Sequence, residues 1–250
     1  MIRFGIVTCL SLAALAQNTA PLDPRIPVST LIREDAFAGF LSNDMDRLAK
    51  AEKTIAQLLK ERPKSRPALL AWEASTKAYR AVRAHEEGKT QEFGRYFGEA
   101  LLLFADAEEA RGNVPDTSVA AITGGTFVVL GDRVPEQYRK ASWGSAYRAY
   151  QFIWKMQSAE VEKLPPHLKG ELLAGLALTA QRTGKTEEAA LHLDRMIAML
   201  PGTPYESAAK KWKEDPAAAS NTRLACLTCH SAGRLEPVRA KLSSATRQPR

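Results

Sequence analysis

The chain has little of what most protein chemistry is built from. Its 250 residues include three cysteines and four histidines, so any metal or thiol chemistry must rest on very few side chains. Long apolar runs are missing. The best of them, Phe4 to Leu15, is too short to span a bilayer. Strand signals are almost absent, and no nucleic-acid motif accompanies the basic residues. Gly88-Lys89-Thr90 and Gly184-Lys185-Thr186 end like phosphate-binding loops, but Arg83 and Thr179 stand where the opening glycine must be, which excludes nucleotide binding there. His85-Glu86 begins a zinc-protease pattern that fails at Lys89. No nucleophile elbow or Ser, His and acid arrangement is present, so the sequence does not point to an enzyme.

What is present begins with charge and a leader-like start. Hydrophobic content of 45% and charged content of 25% belong to an ordinary soluble protein. The net charge is +7; near the end Arg234, Arg239, Lys241, Arg247 and Arg250 face only Glu236. Such a tail suits solubility, an acidic partner or an anionic prosthetic group. Residues 1–16 read as a secretory signal peptide: Arg3 at the start, a short apolar run, and Ala14-Leu15-Ala16 as the cleavage site before Gln17. The expectation is a periplasmic or secreted chain cleaved after Ala16. Cys9 would leave with the leader, and only Cys226 and Cys229 would remain. Residues 17–29 hold three prolines and read as a linker.

From Thr30 to about Lys213 the apolar residues recur at three and four, as in Leu48, Ala51, Ile55, Leu58 and Leu59, so the spacing predicts helices throughout. Gly170 to Thr203 resembles a tetratricopeptide repeat over its full length. Leu173, Leu176, Ala177 and Ala180 stand at the first helix's packing positions and Gly184 at the turn. Ala189 and Leu193 stand at the second helix's contacts, and Pro201 closes the unit. Ala177 departs from the family's Gly, and Met196 from its Ala. A second copy runs from Ile32 to Ser65 with Asp46 as its turn residue, and a more degenerate pair from about Ala68 to Ala110. A helix pair without the signature follows between Thr117 and Ala159. Its first member, Val119 to Leu130, contains Gly124-Gly125, which weaken a helix, yet no partner strand is evident. Its second member carries an aromatic stripe, Trp143, Tyr147, Tyr150 and Trp154, that reads as core packing or as one wall of a pocket. The expected fold is all-α: residues 30–213 as stacked antiparallel helical hairpins in a tetratricopeptide-like superhelix, then a short C-terminal segment over 214–250. The resemblance implies a protein or peptide partner on the concave face.

The most specific stretch is Cys226-Leu227-Thr228-Cys229-His230. Two thiols at this spacing can form thioethers with the two vinyl groups of one porphyrin, and the adjacent imidazole can take the iron. The motif resembles the attachment site of c-type cytochromes. That resemblance implies one covalent haem c held by Cys226, Cys229 and His230, with His230 as the metal ligand. Arg234 or Arg239 would be available to a propionate. A disulfide or thioredoxin-like redox pair and half of a zinc site remain as other readings, although zinc would want a second pair of soft ligands.

Small cytochromes c usually carry the motif early and a Met ligand well downstream. Here 20 residues follow His230 and none is Met. Within the repeats His192, Met196 and Met199 are the candidates for a sixth ligand, with His167 and His85 behind them; Met196 reads as core and His192 as a surface residue. The sequence therefore leads to an exported haem-bearing scaffold that transfers electrons or docks a redox partner. It would have no nucleic-acid partner and no membrane span. The competing expectation is a haem-free periplasmic protein-binding scaffold whose two cysteines form a disulfide or thiol switch; a five-coordinate iron would instead favour gas binding or peroxide chemistry.

Overall fold

Tight turns set the architecture. Residues 22–217, with Leu235, Pro237, Val238, Ala240 and Leu242, are the ones the computed structural model describes. Among them four helical hairpins follow one another: α1 (Val28–Ser42) with α2 (Met45–Glu61), α3 (Arg66–Glu86) with α4 (Thr90–Arg111), α5 (Ser118–Leu130) with α6 (Glu136–Gln157), and α7 (Pro166–Arg182) with α8 (Thr186–Met199). A further helix, α9 (Pro204–Glu214), covers the last pair, and no strand occurs among the described residues.

Gly88 and Gly184 turn their hairpins at φ 73° and 77°, a left-handed backbone open to glycine without a Cβ penalty. In the first hairpin the turn is made by Asn43 at φ 57°, one of the few other residues that adopts this region readily. Asp44 then caps α2 by accepting a hydrogen bond from the Arg47 amide at 3.0 Å. Asp46, expected to be the turn residue, lies inside α2; the Asn-Asp pair two positions earlier supplies both the bend and the cap.

The hairpins stack in a regular order. The first helix of each packs on the first helix of the next, α1 on α3, α3 on α5 and α5 on α7, while α2, α4 and α6 each lie against the following first helix. This is an all-α helical-repeat fold whose first helices form one continuous layer. In the last hairpin Leu173, Leu176, Ala177, Ala180, Ala189, Leu193 and Met196 are all buried.

Helix α5 forms despite its two glycines because it is central. Val119, Ala120, Ile122, Phe127 and Leu130 are buried, and burial on this scale outweighs the roughly 1 kcal/mol that each glycine costs a helix. Gly124 has a packing reason as well: a Cβ there would meet the Tyr150 ring at 3.0 Å.

The C-terminal end returns to the first hairpin. The described residues from Leu235 to Leu242 have helical backbone. Leu235 is buried in the core, with Val238 and Leu242 packed against it. The Leu235 amide donates to Glu34 Oε1 at 2.7 Å, and Arg25 Nη1 donates to the Leu242 carbonyl at 3.3 Å.

Candidate functional site

The first helices, with α6, line an open cavity of about 320 Å³. Phe37 of α1, Trp72 of α3, Ile122 of α5, Tyr150 and Ile153 of α6 and Leu172 of α7 give it apolar walls, and Gly125 leaves room on the α5 side. A Cβ on Gly125 would touch only the tip of Phe37, at 4.0 Å. Polar groups are few: Ser29, Arg33, Thr117, Ser118, Gln157 and Glu171. Arg33 Nε is buried without a hydrogen-bond partner. Arg33 itself is partly exposed, and the lining also holds a carboxylate, Glu171. The cavity thus combines an apolar, aromatic wall with one cation and one carboxylate.

The C-terminal end is anchored on α1 as well. Glu34, which holds Leu235, and the cavity residues Ser29, Arg33 and Phe37 belong to the same helix; the segment from Leu235 to Leu242 acts as a strap on α1. The other flank of the C-terminal segment is also tied down: Gln181 Nε2 donates to the Pro216 carbonyl at 3.0 Å. Cys226, Cys229 and His230, together with Arg234 and Arg239, lie outside the described residues, as do the leader and its cleavage site.

Of the expected sixth ligands, His192 is placed differently from its sequence reading. It is 3% exposed and makes an edge contact with Trp154, ring centroids 5.7 Å apart. Its Nδ1 lies 3.4 Å from Arg195 Nη1 and its Nε2 3.6 Å from Glu188 Oε1. Burial, then the Arg195 charge, pushes its imidazole below the ordinary histidine value. The signal was available: Ala189, His192, Leu193 and Met196 are one helical stripe. Met196 is fully buried, in keeping with its core reading. Met199 is half-buried against the core, while His85 and His167 are exposed.

The aromatic stripe of α6 divides by role. Trp143 is buried and donates to Asp132 Oδ1 at 2.8 Å. Tyr147 donates to Glu188 at 2.7 Å, and burial with that carboxylate pushes its phenol up to about 12. Tyr150 alone of the four faces the cavity. Sequence periodicity found the stripe; the direction of Tyr150 depends on the Gly124 and Gly175 clefts that receive its ring.

Among the described residues no three His, Cys, Asp or Glu side chains gather as a metal site, and no helix is long and apolar enough to cross a membrane. The fold defines the class, an all-α stack of helical hairpins. No family model, curated protein or solved structure matches the chain.

Proposed function

We propose that this is an exported c-type haem protein, a tetratricopeptide-like helical scaffold that carries one covalent haem for electron transfer or redox docking with a protein partner. The observation that carries the reading is the Cys226, Cys229 and His230 spacing, set between two flanks that the structure ties to the helices, Pro216 on Gln181 and Leu235 on Glu34. A prosthetic group attached between anchored flanks is kept near the scaffold, as a carrier that presents its cofactor to a partner requires. Cys226 and Cys229 would hold the porphyrin and His230 the iron. When bound, the haem supplies one-electron chemistry. The scaffold's part is to fix its position and to offer a surface to the partner.

The test is production in an exporting host that has cytochrome c maturation machinery. Cys226→Ala with Cys229→Ala should abolish covalently retained haem while far-ultraviolet circular dichroism keeps its helical signal. Loss of helix in that variant would instead mark the cysteines as structural.

A further inference from the structure

We infer that a groove on the far side of α5 is a docking site for an acidic segment of a partner protein, one that sets an apolar side chain beside its carboxylates. This rests on the partner-docking part of the reading above and not on the haem. Two hollows make the groove. The first, about 390 Å³, lies between α4 and α6 and is lined by Leu101, Phe104, Ala105, Phe127, Ala149 and Phe152. The second, about 740 Å³, lies between α6 and the end of α7 and is lined by Gln137, Lys140, Gly144, Arg148, Arg182 and Thr183. Ser145 and Arg148 line both, so the apolar half runs into the cationic half. Ala120, Thr123 and Phe127 of α5 face this groove, whereas Ser118, Ala121, Ile122 and Gly125 face the cavity described above. At about 100° per residue the two sets lie on opposite sides of the helix, so the groove is a separate surface.

Charge names the occupant. Lys140, Gly144 and Arg148 stand four apart on one face of α6. Lys140 and Arg148 are exposed, and neither forms an ion pair among the described residues; Arg148 donates to Ser145 Oγ at 3.1 Å. Arg182 adds a third cation, paired with Asp132 at 2.7 Å. The one carboxylate in the lining of either hollow, Glu108, is held by Arg111 at 2.6 Å. Two cations without a competing acid favour a ligand that brings carboxylates. The apolar half narrows the choice: Leu101, 47% exposed, offers surface that an apolar side chain of the partner can cover. Nucleic acid would need a longer run of phosphate contacts, and an anionic membrane a denser cluster of Lys and Arg. The chain's own ends do not supply the ligand. Beyond the described residues the sequence holds one acidic side chain, Glu236, next to Leu235, which is fixed on α1.

The experiment uses the full mature chain and a labelled peptide of alternating Glu and Leu pairs, followed by fluorescence anisotropy at low and physiological salt. The expected result is binding that weakens as salt rises. Lys140→Glu with Arg148→Glu should lower the affinity about tenfold or more, and Leu101→Asn about threefold or more. Lys53→Glu with Lys60→Glu makes the same charge change on the exposed face of α2 and should leave the affinity within about twofold. Circular dichroism checks that each variant keeps its helices; if the reversed pair does not fold, Lys140→Gln with Arg148→Gln carries the test. Equal affinity in the groove and α2 variants overturns the inference, as does equal binding of a peptide with Gln in place of Glu. A wild type that does not bind the peptide overturns it too, whether or not it takes phosphatidylserine vesicles or single-stranded DNA. So does a dimer of the wild type that the reversed pair dissociates, since a second copy would then fill the groove. Haem absorbance is read separately on the same protein: its absence overturns the haem reading and leaves the groove standing, and failed peptide binding with haem retained does the reverse.

Discussion

Leu235 and Glu34 are 201 residues apart in sequence, yet the amide of one donates to the carboxylate of the other at 2.7 Å in a buried setting. A stack of hairpins is held together by neighbours alone; this bond adds a contact between the C-terminal end and the first hairpin. A backbone donor given to a carboxylate is stronger than a neutral pair, and removing the acceptor strands the donor.

Glu34→Ala is therefore expected to release the C-terminal end while the hairpins stay folded. Hydrogen exchange at Leu235 and trypsin cleavage at Arg234 and Arg239 should both rise. The loss at the strap should be about 1–3 kcal/mol, the usual penalty for a stranded buried donor. Unchanged exchange in the variant would mean that apolar packing by Leu235, Val238 and Leu242 holds the strap unaided.

Tyr150 makes a second, sharper expectation. A Cβ on Gly175 would lie 2.0 Å from its ring, whereas one on Gly94 meets nothing within 4 Å. Gly175→Ala should destabilise the domain by about 1–3 kcal/mol or more, the range for overpacking. Gly94→Ala, on the exposed side of α4, should stabilise by up to about 1 kcal/mol. Urea unfolding of both variants separates the two signs.

His192 gives the stability a pH dependence. Its imidazole is held below the ordinary value by burial and by Arg195, against the opposing pull of Glu188. The unfolded chain therefore takes up the proton first as pH falls, and the contribution, complete above about 6.5, is lost progressively below it. The slope from one such group is at most about 1.4 kcal/mol per pH unit. His192→Gln should flatten the urea midpoint between pH 7.5 and 5.5; parallel curves for variant and wild type would contradict the assignment.

The hairpins were legible because their rules are local. Gly88 and Gly184 mark turns, and apolar residues three and four apart mark the packed faces. What failed was equally local but subtler. Asp46 matched a repeat offset, while Asn43 and Asp44 had the actual turn and cap chemistry. His192 reads as a surface residue in the sequence, yet it lies 3% exposed on the stripe of Ala189, Leu193 and Met196. The return of Leu235 to Glu34 and the gathering of Arg33, Trp72, Tyr150 and Leu172 around one cavity depend on stacking order across the chain, which no window of sequence contains.

The proposed function stands or falls on one spectrum. Mature protein from a host with cytochrome c maturation, denatured in alkaline pyridine and reduced, is expected to show haem absorbance that stays with the polypeptide through acid and organic extraction, one haem per chain. Colourless polypeptide with Cys226 and Cys229 joined to each other would contradict it and leave a helical binding scaffold with a disulfide.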